Sequence, residues 1–350
     1  MKVQRMIVRA AAMMLTLILG MAVIGPKSGT AEAPQSEWLA YAARFVTDDG
    51  RVVDTGNGFI SHSEGQGYGM LLASAHDDRA RFDRLWAWTR AHLQIRGDRL
   101  FAWRWDPAAG KATDLNSASD GDILIAWALV RGGRQWQEPA FLTEAAGILA
   151  DVRAKLTVDS RFGPLLLPGP EGFRREKSVV VNPSYWLWPA FETFAEVDPS
   201  PVWRGLGASG VELLRAARFG RYHLPTDWVE VLDDTVRPAE GFPPEFGFNA
   251  VRIPLYAAWA SGKTGEAPAG TILDFWASFD GRSQIPATAN VANESMAAYG
   301  LSAGGRAISV LARFGAAAEP MFPSLGPTDD YYSATLLLLT KIAHFERFER

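Results

Sequence analysis

Apolar residues recur at three- and four-residue spacings along most of the chain. In 138–156, Phe141, Ala145, Ile148, Leu149 and Val152 fall on one face of a helix. The same reading predicts helices over 36–46, 63–76, 78–93, 120–131, 138–156, 185–196, 201–219, 249–262, 270–278, 302–314 and 330–346. Asp78, Ser302 and Asp330 stand where N-caps are needed, and Pro201 suits a first turn. Strict apolar–polar alternation is scarce, and 179–181 and 229–232 are the best short strands. Many helices without a parallel-sheet pattern predict an all-α fold: a bundle, a solenoid or a closed ring of helix pairs. The joining segments are long and rich in Gly, Pro and aromatic residues. Such loops are where a rigid scaffold usually carries its chemistry.

The first 33 residues follow a different pattern. Lys2, Arg5 and Arg9 precede an apolar run over 10–24. Pro26 and Gly29 end the run, and Ala31-Glu32-Ala33 offers a small-x-small cleavage site. Cleavage after Ala33 leaves Pro34 first, which makes Ala31 a rival site. The run is short for a membrane span of about 20 residues. The expectation is an exported chain, periplasmic or secreted, without stable membrane insertion, in which 34–350 form a single domain.

Composition narrows the chemistry. The 350 residues are 48% hydrophobic and 21% charged, which excludes a disordered polyelectrolyte. A net charge of −4 offers no basic field for nucleic acid. With no cysteine, thiolate catalysis, cysteine metal sites and disulfides are excluded. His62, His76, His92, His223 and His344 form no metal-binding spacing. Neither a phosphate loop nor a GxSxG elbow occurs. Gly205-x-Gly207-x-x-Gly210 matches a dinucleotide fingerprint but lies in a helical pattern and follows no strand. By elimination, an enzyme built on this chain would work through carboxylates, with no metal or organic cofactor implied.

Two acidic segments fit that role. Glu64 sits in Ser-His-Ser-Glu-Gly-Gln-Gly-Tyr-Gly-Met at 61–70, among glycines that let backbone or ligand approach closely. It reads equally as a general acid and as the far end of a Ser61-x-x-Glu64 capping box. Asp120 and Asp122 flank Gly121 before an apolar helix. They read as a cap and a first-turn charge, or as ligands for sugar hydroxyls. Among 13 tryptophans are three Trp-x-Trp pairs. Trp86/Trp88 fall in a helix, and Trp103/Trp105 in a loop before Pro107. Loop tryptophans present flat apolar faces with a polar N–H, which suits the C–H face of a β-linked sugar.

Taken together, these segments resemble glycoside hydrolase family 8 over nearly the whole chain after the N-terminal segment. Residues 63–70 look like its general-acid motif, and 118–136 like its signature helix, with Gly132 where alanine is usual. Asn-Pro-Ser-Tyr at 182–185, Leu-Pro-Thr-Asp-Trp at 224–228, Asn-Ala-Val-Arg-Ile-Pro at 249–254 and Asp-Tyr-Tyr at 330–332 fit later segments in order. The resemblance implies an (α/α)6 barrel with a substrate groove at one end, and inverting endo-hydrolysis of a β-1,4-glucan such as cellulose. It implies Glu64 as general acid and Asp120 as the group that positions the sugar. Tyr68, Trp103, Trp105, Asp122 and Tyr185 would line subsites, and Arg252 would brace the pocket. It also implies work beside a cellulose-synthase complex. The family's usual base is an aspartate, yet Asn249 occupies that position. Three outcomes follow: Asp233, Asp234, Glu240 or Glu245 replaces it; Asp120 acts through a water; or the chain is an impaired glucan-binding protein. Xylanase, chitosanase and mixed-linkage glucanase activities also occur in the family.

Overall fold

The computed structural model describes residues 35–260 and 269–350. The export segment expected over 1–33 lies outside the described residues. All eleven expected helices are present: α1 (Gln35–Phe45), α2 (Ser63–Ala75), α3 (Arg79–His92), α4 (Ser119–Gln135), α5 (Pro139–Lys155), α6 (Trp188–Val197), α7 (Val202–Ala216), α8 (Ile253–Trp259), α9 (Gly270–Ala277), α10 (Ala303–Phe314) and α11 (Tyr331–Phe348). Asp78, Ser302 and Asp330 cap α3, α10 and α11, accepting the amides of Arg81, Gly305 and Ser333. Two starts shift for local reasons. Asn182 caps a 3₁₀ turn over Pro183–Tyr185, which delays α6 to Trp188. A second 3₁₀ turn, Ala250–Arg252, precedes α8.

Burial separates the helices into two layers. α2, α8 and most of α4 and α11 are covered all round, whereas α3, α5 and α7 bury one stripe. The inner contacts run α2–α4, α4–α6, α6–α8, α8–α10, α10–α11 and α11–α2, so six helices close a ring. Outside it, α3 packs on α2, α5 on α4, α7 on α6, α9 on α10, and α1 on α11. The result is an (α/α)6 barrel. Its core takes most of the tryptophans, including Trp86, Trp88, Trp186 and Trp188, so two of the three Trp-x-Trp pairs serve packing.

Short strands stiffen the connecting loops. β1 (Ser61–His62), β2 (Arg104–Asp106) and β3 (Lys111–Asp114) form one antiparallel sheet. β4 (Thr157–Ser160) pairs with β5 (Gly163–Leu166). β6 (Ser178–Val181), β7 (Val229–Leu232) and β8 (Val236–Pro238) form a second three-stranded sheet, with Ser178 opposite Leu232. β9 (Glu245–Phe246) pairs with β10 (Ala289–Asn290). The two strands expected from alternation are β6 and β7. Most of the others are too short to show a period.

Glu64 and Asp120 lie in the first turns of α2 and α4, at one end of the barrel. A cavity of about 640 Å³ opens among the C-terminal parts of α2, α4, α8 and α11. Its Arg131 is paired with Glu346, which also accepts from Trp259 Nε1 at 2.8 Å, so this end is cross-braced. Among the described residues no helix is long and apolar enough to cross a membrane.

Candidate active site

Glu64 is the second residue of α2. His62 caps the helix, its Nδ1 accepting the Gly65 amide at 3.0 Å. The Ser61 hydroxyl donates instead to the Val52 carbonyl at 2.5 Å. The capping-box reading is therefore excluded, and the Glu64 carboxyl meets Arg252. His62 Nε2 lies 3.4 Å from Asp54 Oδ2. Its Nδ1 lies 3.7 Å from Glu64 Oε2.

Asp120 is the second residue of α4, not its cap. Ala118 holds the cap position without a side-chain bond. Asp120 is buried; its Oδ1 accepts the Gly121 amide at 2.8 Å, and the Tyr185 hydroxyl donates to its carboxyl. Burial pushes its pKa up to about 7, against the hydrogen bond from Gly121 and the nearby His62.

Arg252 joins these groups. Its side chain is 3% exposed and that of Glu64 19%. Nη1 donates to Glu64 Oε1 and to the Tyr68 hydroxyl at 3.0 Å, and lies 3.8 Å from Asp120 Oδ2. Nη2 donates to Ser184 Oγ at 2.9 Å and Asn249 Oδ1 at 2.8 Å. The guanidinium also lies over the Tyr185 ring, 5.9 Å from its centroid. A planar, permanently charged fork can face two carboxylates and three neutral acceptors at once, and a lysine cannot.

The structure thus brings together Glu64, Asp120, Tyr185, Asn249 and Arg252. Trp103 adjoins them through the backbone: its carbonyl accepts the Ser63 amide at 3.1 Å, one residue before Glu64. Trp105 in β2 is partly exposed and packs edge-on against Trp88, with Arg51 5.0 Å from its ring centroid.

Two of the expected sugar contacts are closed off from solvent. Asp122 is fully buried, and its carboxyl accepts the Phe101 amide at 2.9 Å and the Ser117 hydroxyl. It ties the loop before α4 to the loop before β2. Tyr68 is fully buried as well; its hydroxyl meets Tyr256 at 2.7 Å and donates to Glu64 at 3.4 Å. Its bond to Glu64 places it behind the candidate acid.

None of the hydrogen bonds of Asn249 among the described residues goes to the acids nearest it in sequence. Asp233 and Asp234 sit in the exposed turn between β7 and β8, and Glu240 is exposed 3.7 Å from Arg237. Glu245 contributes its backbone carbonyl to the Asp227 amide at 2.8 Å. The carboxylate beside Asn249 is Asp227, whose Oδ2 accepts from Asn249 Nδ2 at 3.4 Å. Asp227 went unselected although it lies in the Leu-Pro-Thr-Asp-Trp segment, because 22 positions separate it from Asn249.

Comparison with known proteins follows the same lines. The family described as glycosyl hydrolases family 8 matches residues 9–345. An endoglucanase of Cellulomonas uda is 40% identical over 77% of this chain and 75% of its own length. A probable endoglucanase of Novacetimonas hansenii is 37% identical over 90% of this chain and 92% of its own. Among solved structures, the endoglucanase Cel10 of Klebsiella pneumoniae superposes with a TM-score of 0.83 at 40% identity, covering 88% of this chain and 98% of that one. The endo-β-1,4-glucanase CMCax of Acetobacter xylinum gives 0.83 at 37% identity, covering 90% and 99%.

Proposed function

The chain belongs to glycosyl hydrolase family 8, and on that premise we propose that it cleaves β-1,4-glucan at internal bonds with inversion at the anomeric carbon. The observation that carries the reading is the Arg252 fork, which sets Glu64 and Asp120 beside each other at one end of the barrel. Of the two carboxyls, Glu64 is the more open to solvent. It is the proton donor to the glycosidic oxygen. Asp120, buried and bonded to Tyr185, receives a sugar hydroxyl and helps turn the ring toward its reactive shape. Trp103 and Trp105 supply apolar faces for neighbouring rings. A purely glucan-binding chain is disfavoured, because relatives at 37–40% identity carry the name endoglucanase. The export pattern over 1–33 supports a periplasmic or secreted enzyme that trims cellulose as it leaves the cell.

The test is hydrolysis of cellopentaose by the chain lacking its first 33 residues, followed by NMR of the anomeric protons. Initial release of α-product, abolished by Glu64→Gln, supports the reading. An initial β-product, or cleavage undiminished in Glu64→Gln, overturns it.

A further inference from the structure

Inversion needs a group that takes a proton from the attacking water, and Asn249 has no carboxylate to offer. We propose that Asp227 is that base. The inference rests on the glucanase reading above and names a residue that the usual family position does not supply.

Asp227 presents one oxygen to its scaffold and the other to the site. Oδ1 accepts the Gly247 amide at 2.9 Å and the Ala250 amide at 2.8 Å. Oδ2 accepts the long 3.4 Å bond from Asn249 Nδ2. Position 247 is a glycine for a steric reason: a Cβ there would stand 2.7 Å from Oδ2. Asn249 in turn hands its own oxygen to Arg252, which reaches Glu64. A continuous chain of contacts therefore runs from the acid to Asp227. Burial raises the Asp227 pKa, with backbone amides of Ala250, Gly247 and Asn249 opposing, which improves its basicity once ionised. Its charged and titratable surroundings are Tyr185 and Tyr332, with Asp120 and Arg252 beyond them. Asp120 is less suited: it is more deeply covered and already bonded to Gly121 and Tyr185.

The step balances without another reactant. The water oxygen attacks C1 while the bond from C1 to the glycosidic oxygen breaks. The leaving oxygen keeps the electron pair and takes the Glu64 proton. The water's proton passes to Asp227 Oδ2. Exchange with solvent then returns a proton to Glu64 and removes one from Asp227.

The experiment compares wild type, Asp227→Asn, Asn249→Asp, the double variant and Asp120→Asn on cellopentaose, and on an aryl cello-oligosaccharide with sodium azide. Asparagine keeps an Oδ1 for the two amides, so the fold survives; thermal melting and cellopentaose binding check this. Asp227→Asn should lose about 10²–10⁴-fold in kcat with near-normal binding. Azide, which needs no deprotonation, should speed it and yield the α-glycosyl azide. Adding Asn249→Asp to Asp227→Asn should recover at least about tenfold. Asn249→Asp alone removes the donor to Asp227 Oδ2 and sets a second carboxylate beside it, so kcat should fall. Wild-type cleavage with Asp227→Asn near wild type, azide rescue of Asp120→Asn alone, or a large gain in Asn249→Asp alone, overturns Asp227 as base but leaves the glucanase reading standing. No cleavage by wild type overturns both.

Discussion

Gly121 lies directly beneath Glu64: a Cβ on it would stand 2.8 Å from the Glu64 amide nitrogen and closer still to the Ser63 side chain. The first turns of α2 and α4 touch there, with the Ser63 side chain packed against the bare Gly121 backbone. This is how Glu64 and Asp120, 56 positions apart in the sequence, share one site. Gly121→Ala must push the turns apart. It should destabilise the fold by about 1–3 kcal/mol, the usual cost of overpacking. It should also cut kcat at least about tenfold, since misplacement by an ångström in a positioned site is costly. Urea unfolding beside kcat on cellopentaose checks both. Unchanged kcat would show that the close approach serves packing alone.

Arg252 is the next point of failure. Its two nitrogens serve Glu64, Tyr68, Ser184 and Asn249 together. Arg252→Lys retains the charge but not the fork, so kcat should fall by about 10²-fold or more while the chain stays folded. Arg252→Met leaves Glu64 and Asp120 without their cation. It should lose about 3–5 kcal/mol, the typical cost of breaking a buried ion pair. A lysine variant with wild-type kcat would remove Arg252 from the positioning role.

The helices were legible in the sequence because their apolar stripes repeat over ten or more residues; α5 shows this through Phe141, Ala145, Ile148, Leu149 and Val152. The acids were legible as motifs, but their partners were not. Ser61-x-x-Glu64 spells a capping box, yet the cap is His62 one residue on, since Ser61 is held in β1 and bonded to Val52. Asp122 has the spacing of a first-turn ligand, yet it faces Phe101 across a loop whose path no local pattern reveals. Asp227 meets Asn249 only because β9 hydrogen-bonds back to it, a contact that depends on tertiary folding.

The cap makes a separable prediction. His62 does two things at once: Nδ1 accepts from Gly65, and the ring lies between Asp54 and Glu64. His62→Ala should cost about 1 kcal/mol, the ordinary price of a lost N-cap. His62→Asn can still cap the helix and should restore most of that stability. If the imidazole also orders the Glu64 carboxyl, the asparagine variant will remain below wild type in kcat with KM unchanged. Full recovery of kcat in His62→Asn would reduce His62 to a cap.

Asp122 predicts a pH signature of folding rather than of catalysis. Burial raises its pKa to about 7, outweighing the bonds from Ser117 and Phe101, whereas the unfolded carboxyl titrates near 3.8. Between those values the folded chain holds a proton that the unfolded chain has lost. The contribution is therefore fully present below about pH 4 and is lost as pH rises through about 7. His76, lowered by burial to about 4, works in the opposite sense over part of that window. A difference measurement cancels it. Asp122→Asn keeps an acceptor for Phe101 and carries no charge at any pH. Relative to wild type, it should gain stability steadily from pH 4 to pH 8, read from urea midpoints at each pH. A wild-type-minus-variant difference that stays flat over that range would mean that Asp122 is ionised in the folded protein, with the Ser117 and Phe101 donors compensating its burial.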